Sequence, residues 1–211
     1  MEEVLQRYRE LLGEVDRWFA DSAARYPDQI ACAGGCSSCC RGLFDITLLD
    51  AASLRSGFHL LPETLRTEIL RKGKARIEGI RTFWPEFVPP YLLNVRPPEE
   101  WDQIMPEEDE TPCVLLDDNG RCTLYDFRPM TCRLHGLPLV DLTGEVMDDS
   151  FCSLNFPDQK PHNLVGLRGA FQEQFLKETL LIAEFTELLT GKATAQLDTL
   201  IPAALLVEWE R

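Results

Sequence analysis

Eight cysteines carry most of the chemistry that this sequence could support. A first group lies within nine consecutive residues, and a second group begins about seventy residues later; in chain order they are Cys32, Cys36, Cys39 and Cys40, then Cys113, Cys122, Cys132 and Cys152. Thiolates this close together repel one another and oxidise readily, so a chain in a reducing compartment rarely carries them without a metal. We therefore predict that the fold brings the two groups together as ligands of a metal centre.

The spacing of the cysteines bears on which metal is bound. Thiolates select zinc, copper(I) and iron–sulfur clusters rather than magnesium or calcium. The Cys36-x2-Cys39 spacing is that of a zinc knuckle, but the second group has gaps of eight, nine and nineteen residues and supplies no second knuckle. This irregular spacing argues against an ordinary zinc ribbon and favours an iron–sulfur cluster over zinc as the cofactor.

The adjacent pair Cys39-Cys40 raises the question of how many metals are present. Neighbouring residues in a loop point their side chains in different directions, so both thiolates rarely complete one tetrahedron. Either one of them ligates while the other packs as a small hydrophobe, or the two serve different metals. Eight thiolates would suffice for two four-thiolate sites or for a shared polynuclear cluster, and the sequence leaves these alternatives open.

The Cys32-x3-Cys36-x2-Cys39 spacing is also that of the radical S-adenosylmethionine enzymes. Those enzymes usually carry an aromatic residue before the last cysteine of the motif, where this chain has Ser38. They also need a β/α barrel, and the helical, proline-interrupted pattern here does not supply its βα units. We do not favour this assignment.

Several arginines lie beside cysteines in an otherwise acidic chain. A four-thiolate zinc site carries a charge of about −2, and iron–sulfur sites are also anionic. We predict that Arg41, Arg128 and Arg133 contribute to cofactor binding by compensating this charge, with Arg128 and Arg133 donating N–H groups to sulfur. The alternative is that they form surface ion pairs worth less than about 1 kcal/mol. We interpret His135 as a partly buried histidine rather than a ligand.

Composition limits the possible partners and the compartment. The chain has 211 residues, 35 acidic and 21 basic, and a net charge of −14, which would repel a nucleic-acid backbone. The N-terminus lacks the pattern of a signal peptide, and the sequence contains no run of eighteen apolar residues that could span a membrane. We expect a cytoplasmic protein without nucleic-acid or membrane partners, in which four disulfides would be unusual.

The periodicity of apolar residues predicts a mainly α fold with small β-hairpins, an α+β arrangement in one domain over 1–211. We expect a short helix from Asp50 to Ser56 that ends at Gly57, and hairpins around Asn119-Gly120 and Gly144. The other predicted helices span 2–28, 62–84, 164–189, 193–200 and 203–210. In the helix over 62–84, we assign the buried face to Leu65, Ile69, Ile77, Ile80 and Trp84. In the helix over 164–189, we assign it to Leu167, Phe171, Phe175, Leu176, Leu180 and Ile182 or Ala183.

The segment from Pro85 to Pro112 is rich in proline and acidic residues, which forbids a long helix there. We expect a mobile surface loop, because such composition buries little apolar surface. Its acidic part, residues 99–110, is a candidate docking segment for a protein partner, since long loops often carry function.

Once the cysteines are placed in order, the sequence resembles a known family. The run Cys32-x3-Cys36-x2-Cys39-Cys40-Arg41, then Pro112-Cys113, then Cys122-Thr-Leu-Tyr-Asp-Phe-Arg-Pro-Met-Thr-Cys132-Arg133 is similar to the YkgJ-type cysteine-cluster family, over residues 30–155. The resemblance implies chelation of zinc or iron. The flagellin lysine methylase carries a similar cluster, which is thought to hold an iron–sulfur centre, and this extends the implied functions to methyl transfer.

Three hypotheses for function follow. The first is a cytosolic metalloprotein that binds an iron–sulfur cluster or zinc through both cysteine groups, in a structural or redox role. The second is an iron–sulfur-dependent modifying enzyme of methyltransferase type, and the third is a metal carrier or assembly factor that docks a partner. No Ser-His-Asp arrangement and no phosphate-binding glycine loop stands out, so we assign no catalytic residue.

Overall fold

The structure is a computed structural model that describes residues 1–106 and 108–207. It confirms the mainly α fold with small antiparallel β-pairs. The α-helices are α1 Glu2–Arg25, α2 Leu48–Leu60, α3 Glu63–Arg81, α4 Met130–Leu134, α5 Phe171–Thr190 and α6 Ile201–Ala204. The strands are β1 Asp45–Thr47, β2 Leu139–Val140, β3 Val146–Asp148 and β4 Asp198–Leu200.

Helix α1 forms one wall of the main hydrophobic core, and its prediction is confirmed. Its apolar stripe from Val4 to Trp18 is buried and packs against α5, α4 and α2. The helix ends at Arg25, just before Pro27, which cannot continue a helical hydrogen-bond ladder. Trp18 lies edge-on to Phe171 and donates its indole N–H to the carbonyl of Leu167 at 2.8 Å.

Helix α2 is longer than the sequence predicted, and two of its predicted boundary residues are wrong. Thr47, not Asp50, is the N-cap; Asp50 is the third helical residue and completes a capping box with Thr47. Gly57 does not end the helix, which continues to Leu60. Its role is in packing, since the ring of Phe127 lies directly on the α2 backbone at this position. The absence of a side chain there permits a close approach rather than a turn.

Helix α3 and the proline-rich segment after it form a second core. Ile77, Ile80 and Trp84 are buried as predicted, whereas Leu65 is 39% exposed, so that assignment is wrong. The segment from 85 to 112 is not an unpacked loop: Phe87, Leu93 and Ile104 pack against these residues, and 3-10 turns lie at Leu93–Val95 and Pro98–Gln103. Glu107, within the acidic part, lies outside the described residues.

The C-terminal region departs most from the prediction. Helix α5 begins at Phe171 rather than at 164 and ends at Thr190, where Gly191 caps it in a left-handed conformation (φ 79°). Leu176 and Leu180 are 60% and 63% exposed, so they do not belong to the buried face. Phe171 and Ile182 are buried as predicted, and the rest of that face is formed by Gln174, Leu181, Phe185 and Thr186.

The helix predicted over 193–200 is wrong, because residues 198–200 form β4. Strand β4 pairs antiparallel with β1, with Ile46 opposite Thr199, and so returns the C-terminal segment to the start of α2. Helix α6 begins directly after β4 and packs against α3 and α2. The end of the predicted helix over 203–210 falls on residues 208–210, which lie outside the described part of the chain.

Strands β2 and β3 form the hairpin predicted around Gly144, which is confirmed. Asp141 organises its turn by accepting a hydrogen bond from the Thr143 amide at 3.1 Å, and it also accepts one from Gln172 at the start of α5 at 3.0 Å. Across residues 1–106 and 108–207, no helix combines the length and the apolar character needed to cross a membrane.

Candidate metal centre

A short backbone pairing joins the first cysteine group to the second. The amide of Cys113 donates to the carbonyl of Cys40 at 2.9 Å, and the amide of Gly42 donates to the carbonyl of Thr111 at 2.8 Å. Arg41 and Pro112 form an antiparallel bridge between these bonds. Two regions about seventy residues apart in sequence are thus held side by side, with one cysteine of each group at the junction.

The hairpin predicted around Asn119-Gly120 is confirmed and brings Cys122 back towards Cys113. Leu116 and Cys122 form an antiparallel bridge, and the Thr123 amide donates to the Leu115 carbonyl at 2.9 Å. Gly120 has a φ of 73°, which favours glycine at the turn. The turn lies against the cysteine loop, since a β-carbon at Gly120 would lie 3.1 Å from the Ser37 hydroxyl oxygen.

Cys132 is positioned by helix α4, whose first amide is held by a buried carboxylate. Asp50 is 2% exposed and accepts hydrogen bonds from the Met130 amide at 2.9 Å and from the Tyr8 hydroxyl at 2.6 Å. Burial raises the pKa of the Asp50 carboxyl, although these hydrogen bonds oppose the shift. The network fixes the start of α4 relative to α1 and α2, and thereby the Cys132 segment.

Cys152 is tied to Cys32 through Asn155, a residue that the sequence analysis did not identify. The Asn155 side chain is 1% exposed; its amide nitrogen lies 2.7 Å from the Gly136 carbonyl and 3.4 Å from the Cys32 sulfur. Its oxygen accepts from the Ala31 amide at 2.8 Å, and the Cys152 amide donates to the Gly136 carbonyl at 3.2 Å. An asparagine three residues after a cysteine gave no signal of this role.

The cysteine side chains differ in their electrostatic surroundings. All eight are free thiols, and only Cys36 is classed as exposed. Burial raises the pKa of Cys113 to about 11. Burial also raises the pKa of Cys132 strongly, and the nearby thiols of Cys113 and Cys122 raise it further.

The pair Cys39-Cys40 lies where the two groups meet. The interaction between the two thiols is the largest cause of their shifts: it raises the pKa of Cys39 and lowers the pKa of Cys40. The thiols of Cys113, Cys132 and Cys122 also act on Cys40 electrostatically, and each opposes the lowering of its pKa. For Cys32, burial is the largest cause of a raised pKa, and the neighbouring thiols of Cys152, Cys36 and Cys39 add to it.

The donor chemistry fits a thiophilic metal. Every thiol is free, the two groups are adjacent, and thiolates favour zinc, copper(I) and iron–sulfur clusters. Within residues 1–106 and 108–207, no three His, Cys, Asp or Glu side chains already form a group that could hold a metal ion. The thiols therefore supply a suitable donor set whose side chains must still converge.

The predicted arginines occupy different positions around the cysteines. Arg128 stacks on the Tyr125 ring at 3.7 Å, and its charge partly offsets the raised pKa values of Cys39, Cys122 and Cys132. Arg133 is buried and donates to the carbonyls of Arg128 and Asp126, at 2.9 and 2.7 Å.

Arg133 also forms an ion pair with Asp16 of α1, which Arg128 shares at 3.3 Å. Arg41 donates to the Glu110 carbonyl at 3.1 Å and pairs with the Glu110 carboxylate at 3.4 Å. In the described part of the chain, no hydrogen bond joins an arginine to a sulfur; the Asn155 amide is the side-chain nitrogen that contacts one. Arg133 therefore braces the Cys132 segment against α1, and Arg128 is the arginine whose charge reaches the thiols.

His135 is the C-cap of α4 and is exposed, so the expectation of a partly buried histidine is wrong. Desolvation of the ring, which lies edge-on to Phe44 with centroids 6.4 Å apart, lowers its pKa and favours the neutral imidazole.

A cleft of about 450 Å³ lies between the cysteine loop and the hairpin and reaches Cys113. Cys113 lies in its wall, and the cationic side chains of Arg41 and Lys72 lie at its margin with Asp117 and Asp118. The Lys72 ammonium donates to the Leu116 carbonyl at 3.1 Å, which holds the hairpin against α3. A small molecule could thus approach Cys113 from solvent.

Residues 31–153 match the CxxCxxCC family, which is described as a putative zinc- or iron-chelating domain. The chain belongs to this family. The match includes all eight cysteines, so it agrees with the resemblance inferred from their order and supports metal binding by this region. No curated protein and no solved structure matched the chain.

Proposed function

We propose that the chain is a cytosolic metalloprotein that holds an iron–sulfur cluster or zinc through thiolates from both cysteine groups, in a structural or redox role. The observation that carries this proposal is the pairing of Cys40 with Cys113 at 2.9 Å, because it juxtaposes groups that are far apart in sequence. The family match supports the same class of function. Eight free thiols in one region are hard to explain by packing alone.

Of the two metals, we favour the iron–sulfur cluster. The irregular spacing of the second group and the contact between the adjacent Cys39 and Cys40 thiols differ from the paired knuckles of structural zinc sites. When bound, such a cluster supplies electron-transfer chemistry whose potential depends on burial and on hydrogen bonds to sulfur. Asn155 and the charge of Arg128 are the groups of this chain that would adjust it.

The direct test is anaerobic purification of the full chain, followed by elemental analysis and a visible spectrum. We expect iron, acid-labile sulfide and a broad visible absorption. A colourless protein with stoichiometric zinc would overturn the preference for iron–sulfur. A protein that retains neither metal, even after anaerobic reconstitution, would overturn the proposal as a whole.

The contribution of both groups is tested with Cys36→Ala and Cys132→Ala, one from each group. Each variant should lose a substantial part of the bound metal. Unchanged metal content in both would show that the two groups do not act together.

A second candidate function is an iron–sulfur-dependent modifying enzyme, which the cleft beside Cys113 favours. Enzymatic sites are commonly clefts with a few convergent polar groups, and Arg41 and Lys72 supply positive charge here. Binding of S-adenosylmethionine to the metal-loaded protein, measured by calorimetry, would support the methyltransferase form of this proposal. An absence of binding by the metal-loaded protein would contradict it.

The acidic segment 99–110 is proposed as a docking site in a third function, that of a metal carrier. Its end is tied to the centre, because Asp109 pairs with Arg76 and Glu110 with Arg41. Binding of a partner to this segment would therefore affect the backbone pairing between Cys40 and Cys113. A carrier should transfer metal to a competing chelator without unfolding, whereas a structural site should unfold on chelation.

A further inference from the structure

The cysteines on either side of the central junction differ in their partners. Four cysteines that follow one another in the order of cysteines along the chain lie around the Asn119-Gly120 hairpin. We call them the inner set, Cys40, Cys113, Cys122 and Cys132. Of the other four, Cys32 and Cys152 contact the Gly136 turn, and two more follow Cys32 in the same loop; we call these four the outer set, Cys32, Cys36, Cys39 and Cys152.

The inner set is defined by backbone pairing. The Cys40 carbonyl accepts from the Cys113 amide at 2.9 Å, and the bridge between Leu116 and Cys122 closes the hairpin that begins at Cys113. Cys132 lies in α4, which begins directly after the 3-10 turn Tyr125–Phe127 that follows Cys122. Three chain segments thus bring these four side chains into one neighbourhood.

The outer set is defined by the Gly136 turn. Gly136 has a φ of 109°, and a β-carbon there would lie 3.3 Å from the Cys32 sulfur. The carbonyl of the same residue accepts from the Cys152 amide at 3.2 Å and from the Asn155 side chain, which also contacts the Cys32 sulfur. Cys32 and Cys152 are therefore held on the same turn.

The local backbone explains how the adjacent cysteines can be divided between the sets. The Cys36 amide donates to the Ala33 carbonyl and the Cys40 amide to the Ser37 carbonyl, both at 3.0 Å, so the loop consists of two consecutive turns. Cys39 occupies the centre of the second turn, whereas Cys40 ends it and enters the pairing with Cys113. Cys39 and Cys40 are adjacent in the chain, but Cys39 belongs to the turn and Cys40 to the backbone pairing with the second cysteine group.

We propose that the eight cysteines form two neighbouring four-thiolate metal sites, with Cys39 contributing to the outer site and Cys40 to the inner site. This inference rests on the proposed metal-binding function and specifies the number of sites and their ligands. Four thiolates satisfy a tetrahedral zinc ion, and four cysteines are also the usual ligands of one iron–sulfur cluster. Because Cys39 and Cys40 are adjacent in the chain, the two sites lie next to each other.

The charges around the junction are consistent with two anionic centres. Two four-thiolate zinc sites would carry about −4 in total. Arg128, four residues before Cys132, stacks on the Tyr125 ring, and the Lys72 ammonium donates to the Leu116 carbonyl of the hairpin at 3.1 Å. Both side chains place positive charge beside the proposed sites.

The test uses double variants of the full chain, reduced and loaded with Zn²⁺, and counts bound metal by native mass spectrometry. The wild type should hold two Zn²⁺. The within-set doubles Cys32→Ser/Cys152→Ser and Cys113→Ser/Cys132→Ser should each keep one, because the other site is intact. The cross-set double Cys32→Ser/Cys113→Ser changes the same number of thiols but damages both sites, and it should keep none.

Equal metal content in within-set and cross-set doubles would overturn the division into two sites, as would a wild type that binds a single Zn²⁺. A wild type that binds no Zn²⁺ and no iron would instead overturn the proposed function. If circular dichroism shows that the doubles are unfolded, ¹¹³Cd NMR of the Cd²⁺-loaded wild type decides the question. Two resonances in the range of sulfur-only ligands support two sites, and one resonance contradicts them.

Discussion

Asn155 shows how a single uncharged side chain can organise this centre. It links three backbone or sulfur partners, the Ala31 amide, the Gly136 carbonyl and the Cys32 sulfur, and it is almost fully buried. An amide supplies both a donor and an acceptor, so one residue can satisfy a carbonyl and an N–H group on separate segments. Cys152 is held near Cys32 largely through this residue and Gly136.

We predict that Asn155→Ala lowers the free energy of unfolding by about 1–3 kcal/mol, because the buried Gly136 carbonyl and the Ala31 amide each lose a partner. The variant should also hold metal more weakly at the outer set. Urea denaturation and metal analysis measure the two effects. Asn163→Ala is the matched control, since Asn163 is exposed and its loss should change stability by no more than about 0.5 kcal/mol. Equal stability of the two variants would contradict this role.

At the scale of elements, contacts between helices and short turns place the second cysteine group. The 3-10 turn Tyr125–Phe127 packs on α2, where Gly57 leaves room for the Phe127 ring. Asp50 of the same helix holds the start of α4. Helix α2 therefore fixes the turn and the helix that lie between Cys122 and the end of α4.

Gly57→Ala should destabilise the protein by about 1–3 kcal/mol, because a β-carbon at this position overlaps the ring of Phe127 and forces α2 and the turn apart. Gly79→Ala is the matched control in α3, where nothing lies within 4 Å of the added methyl group. It should instead stabilise the protein by about 0.4–1 kcal/mol, because alanine lowers the conformational entropy of the unfolded chain. Thermal denaturation distinguishes them; a neutral or stabilising effect of Gly57→Ala would show that this packing does not matter.

Elements with local signals could be predicted from the sequence, and those that depend on distant partners could not. The apolar stripe of α1 and the Asn119-Gly120 turn are encoded within a few residues. Strand β4 exists because it pairs with β1, which lies far away in the chain. Helix α5 has leucines on more than one face, so its periodicity did not reveal that Leu176 and Leu180 are exposed while Leu181 is buried.

The same reasoning applies to the centre. The order of the cysteines and the hairpin predicted that the two groups meet, since both depend on recognisable motifs. The contacts of Asn155 and Gly136 could not be predicted, because ordinary residue types acquire these roles only through tertiary structure. The expected hydrogen bonds from Arg133 to sulfur were replaced by bonds to backbone carbonyls for the same reason.

At the scale of the whole molecule, the four longest helices and the cysteine region share one core, and a buried polar network lies at their junction. The Tyr8 hydroxyl lies 2.6 Å from Asp50 and 3.4 Å from Glu178, linking α1, α2 and α5. Burial is the largest cause of the raised pKa of Glu178, about 8, and the nearby Asp50 carboxylate adds to it. Folding therefore favours the protonated form of Glu178.

This shift predicts how stability depends on pH. Between the ordinary glutamate pKa of 4.5 and the folded value of about 8, the folded state keeps a proton that the unfolded state has released. The free energy of unfolding should therefore fall as pH rises through this window. Glu178→Gln removes the titration, so the variant should gain on the order of 1–3 kcal/mol relative to the wild type between pH 5 and pH 8.

Chemical denaturation at both pH values measures this gain, with the exposed Glu187→Gln on the same helix as control. A constant difference in stability between Glu178→Gln and the wild type across the window would contradict the raised pKa. A pH-dependent gain in Glu178→Gln, absent from Glu187→Gln, would confirm it.

The central claim is that cysteine thiolates of this chain hold metal. X-ray absorption spectroscopy of the anaerobically purified protein, at the absorption edge of the metal it contains, tests this most directly. The structure predicts a first coordination shell made of sulfur, at about 2.3 Å if the metal is zinc. A first shell dominated by nitrogen or oxygen would contradict the claim, because the cysteines would then not be the ligands.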